Sequence, residues 1–375
     1  MESTLYRTAA QPVDLSRQFP RHFFKNVLLP FACTRLFLLL AACFAVSRLA
    51  SSADPGWTGP TSSAAINMWS HFDGSWYLSI AKTGYHFSPG AQSNAAFAPL
   101  YPMLMRIGGQ LFGGSDAAIL TAGILISNLA LLAAVAYLVS LMQLEGHDDA
   151  AARAAWYLLI FPTSFFFSAV YPMSLFLALA TGAFYHARRG QWNIAATLTA
   201  LATLSRPDGV LLSAGLALEY FLQHRLAIRR DILWLASGPA ALLGWIAFQW
   251  HQFGDPLAFV AAQRQWDPSP IQTVIHSSRA GLQLGCAALF LILVILCLRF
   301  LRPSYTLFAA SMLGVMLAAA RFWSITRFVI VLFPAFMVLA ILGRRWRFAH
   351  IAYVALAAPL STLLMIRFAL DLWVA

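Results

Sequence analysis

Eleven apolar stretches, many of them bounded by arginine, recur between residues 28 and 368, and a water-soluble fold has no room for so many. They fall at about 28–49, 117–141, 150–166, 172–187, 191–205, 208–222, 232–250, 280–298, 304–320, 325–342 and 348–368. Crossing a bilayer takes roughly 20 apolar residues as a helix. Composition agrees: 60% of the 375 residues are hydrophobic and 10% charged, with mean hydropathy +0.69, where a soluble domain carries roughly 25% charged residues. The expectation is an all-α polytopic membrane protein, a helical bundle of about eleven transmembrane helices. A twelfth apolar stretch, 97–112, holds Pro99, Pro102, Arg106 and the pair Gly108-Gly109, and reads as interfacial or re-entrant.

The charge balance supports one orientation. Cytoplasmic loops are enriched in Lys and Arg. With the N-terminus inside, Arg7, Arg17, Arg21, Lys25, Arg153, Arg188, Arg189, Arg225, Arg229, Arg230, Arg299, Arg302, Arg344, Arg345 and Arg347 all fall inside. The excess of 25 Lys+Arg over 14 Asp+Glu is then topological rather than a nucleic-acid surface, since the chain has two lysines and no basic tail. A full crossing at 97–112 would turn every later arginine cluster outward. Residues 1–27 read as a cytoplasmic segment ahead of a retained anchor, and 28–375 as one transmembrane domain with a long first outer loop at 50–116. Cys33, Cys43, Cys286 and Cys297 lie in apolar spans without the spacing of a metal site or a disulfide.

On this layout the unusual polar and aromatic sequence faces outward. The first outer loop runs His71-Phe72-Asp73-Gly74-Ser75-Trp76-Tyr77 into an amphipathic stretch that ends at Gly84-Tyr85. Asp73, at an apolar boundary, suits either of two roles: a general base that takes a proton from an alcohol, or an N-cap of the following helix. Phe97-Ala98-Pro99-Leu100-Tyr101-Pro102 and Ser168-Ala169-Val170-Tyr171-Pro172-Met173 read as proline-fixed turns. Irregular backbone at membrane depth survives only against protein or a watery cavity, so an outward cavity is expected. Arg206 with Asp208, Asp255 and Gln263 in 251–279, and Arg321 and Arg327 complete the outer set. Guanidinium forks match phosphate oxygens. His86, His251 and His276 lack metal-helix spacing, and no Walker loop, GxGxxG, HExxH or GxSxG appears. No metal site is expected, although a divalent cation stays open.

These residues resemble the PIG-V family of mannosyltransferases, relatives of the second mannosyltransferase of GPI-anchor synthesis that also occur in prokaryotes. The likeness rests on Phe72, Asp73, Trp76, Tyr77, Ile80, Ala81, Gly84 and Tyr85; on Phe97 to Pro102; on Gly254-Asp255-Pro256-Leu257-Ala258-Phe259; and on Arg327, Phe328, Phe333 and Pro334. It implies the GT-C fold, with the active site on the periplasmic face of a bacterial inner membrane or the lumenal face of the endoplasmic reticulum. It further implies a polyprenyl-phosphate mannose donor, inversion at the sugar, and Asp73 as catalytic base. The acceptor class is a glycolipid, glycan or protein. Arg327, then Arg206 and Arg321, are expected at the donor phosphate. Trp76, Tyr77, Tyr85, Tyr101, Tyr171, Asp208, Asp255 and Gln263 are expected around the substrates. Three positions depart from the family pattern: Phe72 for Trp, Ala98 for Phe, and Met173 for Glu. The competing function is a lipid or glycolipid transporter or flippase, for which Arg35 and Glu219 are the spanning charges of interest.

Overall fold

The computed structural model describes residues 23–49, 59–266, 280–318 and 324–374. Arg321, Asp267, His276 and most of the N-terminal segment lie outside the described residues. What is described is helical, with no strand among the described residues.

Among the described residues five helices are long and apolar enough to cross a membrane: Phe24–Arg48, Asp116–Leu144, Arg230–Phe253, Gly281–Phe300 and Arg347–Ala369. A sixth arises if Ile325–Val331 and Phe333–Arg345, bent by 80°, are one broken span. Helices do occupy all eleven expected intervals, but the remaining ones are only 12 to 16 residues long. Length and composition thus support five or six of the expected crossings among the described residues. Prolines explain much of the difference. Pro162, Pro172, Pro207 and Pro334 sit where apolar sequence continues but the helix stops, because proline removes a donor and restricts the residue before it.

In chain order the helices are α1 (Leu29–Arg48), α2 (Ala64–Asn67), α3 (Asp73–Thr83), α4 (Leu100–Leu111) and α5 (Asp116–Leu144). Then come α6 (Asp148–Ile160), α7 (Met173–Arg188), α8 (Trp192–Ser205), α9 (Leu212–Gln223), α10 (Ser237–Phe253) and α11 (Ala258–Arg264). The last group is α12 (Ala280–Phe300), α13 (Pro303–Ala318), α14 (Ile325–Phe328), α15 (Phe333–Arg345) and α16 (Arg347–Ala369). α5 packs against α4, α6 and α7, and α8 lies between α7 and α10. The core is aromatic, with Phe165, Phe167, Tyr171, Phe176, Phe184, Tyr305 and Phe308 fully buried. Leu36, Leu40, Phe44, Leu129, Leu243, Trp250, Ile295, Leu298 and Leu356 point outward and exposed, as lipid contact requires.

The stretch 97–112 is a regular helix from Leu100 rather than a proline-broken turn. Pro99 is its N-cap residue and Pro102 falls in the first turn, where an N–H has no helical partner anyway. α4 runs antiparallel to α5. Gly109 packs so closely that a Cβ there would stand 2.7 Å from the Ile119 Cα, and the Tyr101 hydroxyl bonds the Gly123 carbonyl and Ser127 Oγ at 3.0 and 2.8 Å.

Both spanning charges are tied down by hydrogen bonds. Arg35 donates to the carbonyls of Leu159 at 2.7 Å and Ser164 at 3.0 Å, a cation closing the C-terminal end of α6 where helical carbonyls lack partners. Glu219 accepts from Arg188, Arg302, Ser304 and Gln223 at 2.6–3.3 Å. Arg188 also bonds Glu145 at 2.6 Å, and Tyr305 donates to the same carboxylate at 2.9 Å. This network gathers the ends of α5, α7 and α9 and the start of α13, so loops read as cytoplasmic meet at one end of the bundle.

Candidate active site

α3 starts at Asp73 itself. Its N-cap residue is Phe72, at φ 55°, ψ −113°, and no side chain caps the helix. The capping role weighed for Asp73 is thus not the one it plays. Its Oδ2 accepts instead from Arg327 Nη1 at 2.8 Å, with the two side chains 15% and 7% exposed. Arg327 reaches this point because α14 and the 3-10 turn Val329–Val331 end in the 80° bend before Pro334.

A positive φ on a bulky residue costs of order 1–3 kcal/mol and needs external support. Tyr171 provides it. Its hydroxyl donates to the His71 carbonyl at 3.1 Å and accepts from the Asp73 N–H at 3.2 Å. One phenol thus bridges both sides of Phe72. Burial, then the charge of Asp73, pushes the Tyr171 hydroxyl well above its ordinary value, and the same two causes raise Tyr77. Both are therefore neutral, and Tyr171 keeps the proton it donates to the His71 carbonyl.

The turn that carries Tyr171 is irregular and buried, and its polar backbone is satisfied by protein. Thr163 Oγ1 donates to the Thr326 carbonyl at 2.7 Å, which fixes α14 to this turn. The Val170 N–H bonds the Trp69 carbonyl at 2.9 Å, which fixes the loop before α3.

Arg206 comes to the same place. It grips Asp208 with two bonds, 3.0 and 2.6 Å, and its Nη1 lies 2.8 Å from the Met173 sulfur. The bend from α8 into Pro207–Leu211 requires Gly209, since a Cβ there would stand 2.6 Å from Ala202 backbone atoms. The guanidiniums of Arg206 and Arg327 both lie against Phe328, 5.2 and 4.9 Å from its ring centre. Arg327 also rests over Phe166 and Tyr171 at 5.6 and 5.4 Å. Its Nε is buried with no hydrogen-bond partner. A carboxylate, two cations and two neutral phenols therefore share one buried cluster.

The other expected site residues divide. Tyr77 is buried against Phe97, Tyr101 and Tyr171 within this cluster. Trp76, one turn from Asp73, stacks with Phe97 and meets Trp266 edge-on at 5.0 Å. Tyr101 is fully buried and spends its hydroxyl on α5. Tyr85 donates to the Phe97 carbonyl at 3.0 Å and packs on Trp245 and Phe248. There it lines an apolar groove of about 430 Å³ with Ile80, Pro99, Pro102 and Arg106. Asp255 accepts from the Leu257 N–H at 2.8 Å ahead of α11 and so braces a turn. Gln263 lies half-buried on α11. Among the described residues no three His, Cys, Asp or Glu side chains gather as a metal would need. Phe166 and Phe328 belong to the cluster without having been expected there. Phe166 stands in the run Phe165-Phe166-Phe167, which carries no signal that separates a cation-bearing ring from ordinary core, whereas Phe328 follows Arg327 in a motif already named.

The sequence profile of the family described as Mannosyltransferase (PIG-V) matches residues 26–228. The chain belongs to the PIG-V mannosyltransferase family. It is thereby a membrane chain of a glycosyltransferase family, and the matched region carries Asp73, Tyr171, Arg206 and Asp208, while Arg327 lies beyond it. No curated protein matches the chain. Among solved structures, it is similar to the Archaeoglobus fulgidus oligosaccharyltransferase complex with zinc and sulfate, at 15% identity and TM-score 0.45, covering 89% of this chain and 53% of that one. The same enzyme tethered to an acceptor peptide containing the NVT sequon gives 14% identity and TM-score 0.47, covering 95% and 56%. Its complex with an inhibitory peptide and a dolichol-phosphate gives 14% and 0.43, covering 90% and 56%. The PIG-V chain spans about half the length of the solved structures it matches.

Proposed function

We propose that this chain is a GT-C-type glycosyltransferase that moves mannose from a polyprenyl-phosphate donor to an acceptor hydroxyl on the non-cytoplasmic face. The observation that carries the reading is the Asp73–Arg327 pair, a carboxylate and a guanidinium 2.8 Å apart and largely shielded from solvent. Family membership supports the sugar.

In this reading the acceptor O–H gives its proton to Asp73 while its oxygen bonds to the anomeric carbon. The bond from that carbon to the phosphate oxygen breaks, and polyprenyl phosphate leaves with the electron pair. A single displacement inverts the centre and needs no second carboxylate. Charge grows on the departing phosphate, which preorganised donors stabilise. Arg327 has a buried Nε–H to offer, and Arg206 lies across the Phe328 ring. A donor phosphate would compete with Asp73 for Arg327, so binding the donor would release the base toward the acceptor. Arg321 is proposed as a third donor by its place in the sequence alone.

The test is transfer by the purified full-length chain in nanodiscs from polyprenyl-phosphate mannose to a lipid-extract acceptor, with the anomeric configuration of the product determined. Inverted mannoside supports the reading. Absence of transfer, with lipid flux across proteoliposomes, would replace it by the transporter alternative.

A further inference from the structure

Helix α16 ends in a hook that folds back on the Asp73 turn. The Asp371 N–H bonds the Phe368 carbonyl at 3.0 Å and the Leu372 N–H bonds the Arg367 carbonyl at 2.9 Å, the paired bonds of a Schellman motif. The residue that must turn left-handed in such a motif is usually glycine. Here it is Asp371, at φ 58°. Holding a β-carbon in that conformation costs free energy, so the side chain should contribute something glycine cannot. Its carboxylate lies 3.0 Å from His71 Nδ1.

His71 and Phe72 are covered by the same hook. Trp373 meets the Phe72 ring edge-on at 4.9 Å, and Phe368 meets the His71 ring edge-on at 5.5 Å. Phe368 also packs on Phe166 and Tyr171, the rings beneath Arg327. Two residues with unusual backbone, Phe72 at φ 55° and Asp371 at φ 58°, therefore belong to segments joined through the His71–Asp371 contact. Strain of this kind persists only where surrounding structure over-determines it, and it collects at functional sites. Tyr171 holds the Phe72 turn from one side and the hook covers it on the other.

We infer that residues 368–373 form a positioning clamp for Asp73, in which Asp371 fixes His71 and Trp373 fixes Phe72, so that the carboxylate points at Arg327 and the acceptor. The clamp rests on the proposed transferase reading for its catalytic consequence. Asp371 is a positioning residue: it acts through the His71–Phe72 turn and touches no reacting atom.

Asp371→Gly separates this from a structural role, because glycine suits the left-handed position better than aspartate and removes only the carboxylate. The full-length variant in nanodiscs should melt no lower than the parent. Its kcat should nevertheless fall about 10- to 100-fold, the scale of a misplaced catalytic group, with KM for donor and acceptor within about twofold. Amide exchange over residues 71–74 should quicken, because the Asp73 N–H would no longer be held against Tyr171. Asp371→Asn, which tolerates the same backbone and keeps an acceptor for His71, should recover most of the kcat. Parental kcat in the Gly variant, or a lost kcat with unchanged exchange over 71–74, would overturn the clamp. If the parent chain transfers no sugar, the transferase reading fails while the exchange comparison still decides whether Asp371 holds the turn.

Discussion

Arg327 and Asp73 are 254 residues apart in sequence, yet the Arg327 Nη1 and Asp73 Oδ2 atoms are 2.8 Å apart. The contact joins the start of α3 to the broken segment before α15, so these two distant parts of the chain must both be in place before the pair forms. Replacing Arg327 by Met should destabilise the fold by about 3–5 kcal/mol, the range for removing one partner of a buried pair, read as a lower thermal midpoint. Arg327→Lys should keep the fold, because it keeps the charge. Its turnover should fall by about 10²-fold, since one ammonium cannot reproduce the fork that meets both Asp73 and a phosphate.

Arg206 bonds Asp208 through Nε and Nη2, while its Nη1 meets the Met173 thioether. Sulfur is a weak acceptor, so Asp208→Ala should leave a buried guanidinium without a carboxylate and cost about 3–5 kcal/mol. Adding Met173→Glu to that variant places a carboxylate where the sulfur lies and should restore most of the thermal midpoint. A double variant no more stable than Asp208→Ala would mean that position 173 does not address Arg206.

Much of this site is legible in the sequence, but unevenly. Asp73, Arg206, Arg327, Tyr77 and Tyr171 can each be named from loop motifs and charge placement, and the fold joins them. The partners cannot be paired from the sequence, because Asp73 before an amphipathic run reads equally well as a helix cap. Only the start of α3 at Asp73, after the twisted Phe72, removes that alternative. Tyr101 stands in a motif as suggestive as any other, yet its hydroxyl serves the α4–α5 contact. Apolar stretches and long helices differ in number for a physical reason: hydropathy reports apolar composition, whereas prolines and turns decide how long each helix runs. The hook at the end of α16 is invisible beforehand, since glycine or asparagine would be the signal for a left-handed residue and the chain has aspartate there.

Tyr101 and Tyr171 offer a contrast of roles. Tyr101→Phe strips a partner from the Gly123 carbonyl and Ser127 and should cost about 1–3 kcal/mol of stability with turnover unchanged. Tyr171→Phe removes the hydroxyl that bridges His71 and Asp73, and should lower kcat more than it lowers the thermal midpoint. Equal kcat losses in the two variants would contradict the assignment.

Acid should weaken the Asp73 turn through His71. Burial holds this imidazole below its ordinary value near 6.5, although Asp371 pulls it upward. Asp371, the Tyr171 hydroxyl and, two residues on, Asp73 are the titratable groups near it. Unfolded His71 then binds its proton at a higher pH than folded His71. Its contribution is fully present above about pH 6.5 and is lost as pH falls toward the folded value. The thermal midpoint should drop across that window in the parent chain and drop less in His71→Gln. Parallel pH profiles for the two would assign the acid sensitivity elsewhere.

The most direct measurement is turnover of Asp73→Asn with polyprenyl-phosphate mannose, alongside amide exchange to confirm that α3 still forms. Asparagine keeps the size and still offers Arg327 an acceptor, but it cannot take the acceptor proton. Loss of transfer by about 10²- to 10⁴-fold, the usual contribution of a general base, with KM for donor little changed and α3 protected, is the predicted result. Turnover equal to that of the parent chain would contradict the role given to Asp73 and, with it, the proposed mechanism.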